Sequence, residues 1–276
     1  ADLFLTSRNV NVSNSQVVAG VDDQGELQAG QGNLSIDVSD TLTYSGARLA
    51  AGKNLTVKAQ NIDSGNISHG LTSRGALSVE AQNMTKTSGG ISSDGDMTLN
   101  VANLGLTSTG AMSKAQLSLQ TNDFTNAAQL GSVGDLTFSV SGSILNDTGA
   151  TIQSEGTLSL TSTASSVTNR GLLSARTALS IDAASDIRNE SAGRMESDGD
   201  ISLNAQGGNI YNANEIEVLG DITLTASTDV TNASGAKIAA AENLITDAGG
   251  DVNNDGILKG LASQTLNAGS LTNNGM

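Results

Sequence analysis

The chain contains no cysteine, no proline and no tryptophan, one histidine, and only three phenylalanines and two tyrosines among 276 residues. Without cysteine there is no disulfide frame and no thiolate metal site, which suits an exported protein free of thiol oxidation chemistry. Without proline, every internal segment keeps all of its backbone N–H donors, as strands paired on both edges require. An aromatic content of 2% argues against a broad core packed on large rings and for a thin one filled by stacked aliphatic side chains. Basic residues are also scarce: 13 Lys and Arg face 28 Asp and Glu, for a net charge of −15 and a pI near 4.2. That balance argues against nucleic acid, heparin-like polyanions or an anionic bilayer as a main partner. No apolar run reaches the roughly 18 residues of a membrane-spanning helix, so no membrane span is expected.

What the chain does have is one phrase, repeated. From Glu155 to Ser174 it reads EGTLSLTSTASSVTNRGLLS. Leu158 and Leu160 stand two apart, the period of a strand with one face buried, where a helix would need spacings of three and four. Val167 with Asn169, and Leu172 with Ser174, repeat the two-residue step, and Asn, Arg and Gly mark the bends between. The opening apolar residue returns at Leu34, Leu55, Leu77 and onward to Leu244 and Leu266, about every 21 residues, a period that signals a solenoid. Three short strands per coil, each pairing parallel with the next coil, predict an all-β, right-handed parallel β-helix of about 13 coils. It is read as one elongated domain over residues 1–276. The chain stops within a repeat at Asn274-Gly275-Met276, which reads as a piece of a longer filament.

Residues 1–32 form an irregular first coil. Leu3 and Leu5 open it, Val10, Val12 and Asn14 make its second strand, and Leu27-Gln28-Ala29 resembles a third strand. The inserted acidic stretch before Leu27 holds Asp22, Asp23 and Glu26, and is expected to be an exposed loop that contacts a partner. Residues 33–276 are regular. Ser or Thr sits between the two apolar residues of almost every opening strand, as at Ser35, Thr137 and Ser180, forming an outward hydroxyl stripe. The pattern frays at the end, where Thr246 and Ala268 take the inward place.

The second strand carries apolar-x-Asn, with Asn126, Asn146, Asn169, Asn189, Asn212, Asn232, Asn254 and Asn273. Spacing by two turns each Asn inward with its apolar neighbour, where an unpaired amide is costly. Like residues about 4.8 Å apart in adjacent coils can bond amide to amide, so a structural ladder is expected. It should start near Asn126, since Ser64, Lys86 and Leu106 hold the matching places before it.

Catalytic and metal readings find little support. His69 stands alone in Ile-Ser-His-Gly and reads as a surface turn residue. Asp251-Val-Asn-Asn-Asp255-Gly256 imitates the start of a calcium loop, but Ala262 falls where a bidentate Glu is required. Asp-Gly-Asp at 94–96 and 198–200 reads as a bend before a strand. Polysaccharide-cleaving β-helices need clustered carboxylates and aromatic platforms, and Phe124 and Phe138 already occupy core slots. No enzyme activity and no cofactor are therefore expected.

The coil Gly-Asp-Ile-Ser-Leu-Asn-Ala from Gly199, followed by Asn-Ile-Tyr-Asn from Asn209, resembles the repeats of filamentous haemagglutinin-like exoproteins over about residues 30–276. That resemblance implies a bacterial β-helical filament secreted to the cell surface by two-partner secretion through an outer-membrane transporter. It implies an adhesin, with virulence and cell adhesion as its setting, that meets a protein or glycan receptor on a host or neighbouring cell. The alternative it implies is the passive shaft of a contact-dependent inhibition toxin. Neither the secretion domain of the family, with its Asn-Pro-Asn-Gly-type motif, nor a toxin is recognisable in the sequence.

Overall fold

A computed structural model describes residues 1–64, 70–85, 89–106 and 110–276. The expectations for His69 and Lys86 lie outside the described residues. Every named element is a β-strand, and the paired strands run parallel, coil upon coil. The architecture is a parallel β-solenoid. Leaving out the irregular first coil and the last one, which has no third strand, about 11 turns of about 21 residues remain, slightly fewer than expected. The chain divides into two compact units, residues 1–135 and 136–276.

In the first unit the opening and second strands are fused in every coil but the last, where Leu117–Thr121 and Asp123–Asn126 are separate. Leu34–Thr43, Leu55–Asp63, Leu77–Thr85 and Met97–Leu106 each run nine or ten residues without a break. Their inward residues stack in register: Leu34, Leu55, Leu77 and Met97 form one column, and Ile36, Val57, Val79 and Leu99 the next. Short third strands such as Arg48–Ala51, Leu71–Ser73 and Ile91–Ser93 close the core from the other side with Leu49, Leu71 and Ile91. Tyr44 is buried here, and burial pushes its phenol well above the ordinary value of 10.0, while the Ser64 hydroxyl acts the other way.

In the second unit the three sides are separate. The coil that begins with Thr157–Ser162 continues with Val167–Asn169 and Leu172–Ala175, and the next coils repeat the layout. Leu158, Leu179, Ile201, Ile222 and Leu244 stack on the first side. Val167, Ile187, Ile210, Val230 and Val252 stack on the second, and Leu173, Met195, Ile216, Ile238 and Leu258 on the third. Apart from Leu258, these are at most 1% exposed. Each contributes about 1.5 to 3 kcal/mol by leaving water, so alternation alone supplies a continuous thin core.

Two details differ from the sequence expectation. In the first coil the third strand is Gln16–Ala19, paired with Arg48–Ala51, and not Leu27-Gln28-Ala29. Val17 and Val18 suit a pleated strand, whereas Leu27 forms an isolated antiparallel bridge with Val21 that closes the base of the loop. In the last coil the inward frame is shifted by two residues. Gln264 pairs with Leu244, and Leu266 pairs with Thr246. The small Thr246 leaves space in its column, and Leu266 is large enough to fill it.

Candidate functional site

Polar side chains concentrate at the bends, and in the second unit they start with the amides. Asn146 Nδ2 donates to Asn169 Oδ1 at 2.8 Å, Asn169 to Asn189 at 2.9 Å, and Asn189 to Asn212 at 2.8 Å. The chain of bonds continues from Asn212 to Asn232 and from Asn232 to Asn254, both at 2.8 Å, and ends at Asn273, 2.7 Å on. Each Nδ2 also reaches a backbone carbonyl of the next coil, such as Arg194 at 3.0 Å or Lys237 at 3.0 Å. Asn212 Oδ1 further accepts the N–H of Asn214, two residues on, at 3.3 Å. An Asn side chain offers two donors and two lone pairs, and at Asn212 all four are in use. The ladder therefore ends the second strand, turns the chain and ties coil to coil. Asn126, in the first unit, is buried and braces its own bend through Ala128, whose N–H and C=O it meets at 3.1 Å each. Asn273 is exposed in the terminal coil.

The acidic loop has a different internal logic from a simple display of charge. Asp22 Oδ1 accepts the N–H groups of Gln24 and Glu26, both at 2.9 Å, and Oδ2 accepts Gln28 Nε2 at 2.7 Å. One carboxylate thus holds the loop in shape. Gly20 enters the loop at a φ of 74°, where a Cβ would collide with the Gln31 carbonyl. Asp23 and Glu26 are exposed.

Carboxylates at other bends accept N–H groups from the following coil. Asp96 takes Gln116 at 3.3 Å, Asp200 takes Asp221 at 2.9 Å, and Asp229 takes Asp251 at 2.8 Å. Asp96 and Asp200 are the last residues of the two Asp-Gly-Asp bends. Asp251 to Asn254 is itself a strand, with Asn254 in the ladder, so that stretch is not a calcium-type loop. Among the described residues, no three His, Cys, Asp or Glu side chains stand close enough to hold a metal ion.

Sequence reasoning passed over three features. A second amide ladder lies on the surface of the first unit, where Asn83 donates to Asn61 at 2.8 Å and Asn103 to Asn83 at 2.7 Å. The signal was present, as Ala-Gln-Asn at 59–61 and 81–83 and Val-Ala-Asn at 101–103. The second feature is a set of charges stacked at the corner after the third strand. Asp94 bridges Arg74 at 3.2 Å and Lys114 at 2.7 Å, and Lys114 and Arg74 hold its carboxyl below the ordinary 3.8. On the third side of the second unit Arg194 meets Glu215 at 3.1 Å, and Lys237 meets Glu217 at 2.6 Å. That lysine lowers Glu217, and Glu217 raises Lys237. The third is Tyr211, half-exposed on the second side, with the Arg188 guanidinium 4.9 Å above its ring.

The chain matches no protein-family model, no curated protein and no solved structure.

Proposed function

We propose that this chain is a structural segment of a secreted, surface-exposed filament whose work is reach and display. The observation that carries the reading is where the polar side chains go. The amides from Asn146 to Asn273 and the bend carboxylates of Asp200 and Asp229 bond to the next coil. Side chains used in this way resist extension along the stack and leave few groups for chemistry on a substrate. The repeat's resemblance to filamentous haemagglutinin-like exoproteins agrees with this reading and adds two-partner secretion and adhesion to a cell-surface receptor as its setting. In that setting the segment is non-enzymatic.

The test is removal of one coil, Asp221 to Glu242, which begins and ends at equivalent bends. Solenoid coils contact only their neighbours, so Gly220 should rejoin Asn243 in register and Asn212 should bond Asn254 directly. Adhesion by the parent filament should survive. The companion variant, Asp23→Ser with Glu26→Ser, leaves the Asp22 brace intact. Loss of adhesion in the companion alone assigns recognition to the loop, and survival in both leaves the segment a passive shaft, as toxin delivery needs. Loss of adhesion in the coil deletion, with the fold intact by circular dichroism, contradicts the display reading.

A further inference from the structure

On the third side of the second unit a groove of about 480 Å³ crosses four successive coils. Its floor is the buried inward residues Ala175, Ser197 and Val218. One wall is Ser174, Glu196 and Glu217, stacked in register as the outward residues of their strands. The other is the corner that follows those strands, with Arg176, Asp198 and Leu219. Ser174 is small, and its shortness opens the groove beside Arg176.

The charges lining the groove do not balance. Glu155, Glu196, Asp198 and Glu217 face Arg176 and Arg194. Glu155 pairs with Arg176 at 3.2 Å, Glu196 with Arg194 at 3.1 Å, and Glu217 with Lys237 at 2.6 Å. Asp198 remains exposed, with no side-chain hydrogen bond or ion pair among the described residues. Leu219, one coil further along the same corner, is 63% exposed. An unpaired carboxylate beside an uncovered aliphatic side chain, in a concave site, matches a guest that brings a cation next to an apolar group.

Strand addition is not open to that guest. Leu172–Ala175 and Arg194–Ser197 are each paired on both edges, so no free backbone edge exists here. A guest must lie along the stack, held by side chains. Four coils span about 14 Å, the length of four or five extended residues. We infer that this groove binds an extended basic peptide segment, a basic side chain on Asp198 and an apolar one against Leu219.

The experiment measures binding of a labelled peptide of about five residues, Lys on both sides of a Leu, to the full chain. Versions with Glu or Ser in place of Lys are the comparisons, and a neutral oligosaccharide is the competitor. Asp198→Asn and Leu219→Ser alter exposed side chains, and circular dichroism checks that the fold is kept. Each should weaken the Lys peptide about threefold to fivefold, the scale of one exposed charge or contact. Asp37→Asn, which removes the same charge from the exposed face of the first unit, should leave binding unchanged. The inference is overturned if the Lys peptide does not bind, if the Ser version binds as well, or if the oligosaccharide displaces it. Equal weakening by Asp37→Asn also overturns it, because that would mean diffuse attraction to a chain of charge −15.

Discussion

In the second unit the amides run inside the coils, from Asn146 to Asn273, whereas in the first they run along the surface, from Asn61 through Asn83 to Asn103. The difference follows from corner length. In the first unit a step of three residues leads from the last inward residue of the opening side to the first of the next, as from Ala59 to Ile62 or from Ala81 to Met84. Three is odd, so simple alternation would bring the second side out the wrong way. The fused strand takes up this offset within its corner, where Asn61 and Asn83 stay in register. In the second unit the step is four or five, as from Ala183 to Ile187 or from Ala205 to Ile210. The added residue or two, rich in Ser, Gly and Asp, break the strand and let a separate apolar-x-Asn side turn its Asn inward. One repeat period thus supports two ways of binding coil to coil, and one of them is shielded from water.

The comparison breaks most directly by removing a rung from each ladder. Asn189→Leu takes from Asn169 Nδ2 and Asn212 Oδ1 one of their two bonds each inside the core, leaving the Arg194 carbonyl and the Asn214 N–H, and should cost about 1 to 3 kcal/mol. Asn83→Leu opens a half-exposed ladder whose neighbours turn to water, and should cost under about 1 kcal/mol. Urea midpoints for the two variants check the difference, and equal losses would show that the two ladders are energetically alike.

A smaller effect of the opposite sign is expected at Thr246. Its side chain is fully buried and its hydroxyl has no hydrogen-bond partner among the described residues. Thr246→Val keeps the shape and removes that unmet group, so thermal unfolding should show a gain of about 1 kcal/mol. A loss would mean that the hydroxyl has a partner in solution.

Charge separates the units less sharply. Lys114 and Arg74 lower the Asp94 carboxyl below 3.8, so its contribution is present above the unfolded value and disappears as pH falls through the lower native one. Asp94→Asn should therefore lower stability slightly at neutral pH and flatten the acid limb below about pH 4. An acid limb identical to the parent's would remove Asp94 from the account. Smaller still is Ser180→Ala, on the outward hydroxyl stripe, which should be close to neutral by the same urea measurement.

Much of this was legible in the sequence. Period, strand alternation and inward residues follow from the spacing of apolar side chains, because a thin stacked core leaves little freedom in placing them. The inward Asn column was legible for the same reason. The fusion of strands in the first unit was not, because it depends on counting corner residues, and a three-residue corner resembles a four-residue one unless parity is considered. The last coil was misplaced because it is 20 residues from Leu244 to Gln264, and a regular count carried the frame past the pairing that volume selects. Asp22 looked like an offered charge, although the N–H groups two and four residues on were within its reach. The groove beside Asp198 is invisible in one dimension, since its walls come from residues about 21 apart.

The most direct measurement is hydrogen exchange of the Asn side-chain amides by NMR. Nδ2 protons of Asn169, Asn189, Asn212 and Asn232 should be protected by several orders of magnitude relative to those of Asn83 and Asn103, because the former open only when coils separate. Comparable exchange at the two sets would contradict the claim that a shielded amide ladder binds the coils of the second unit.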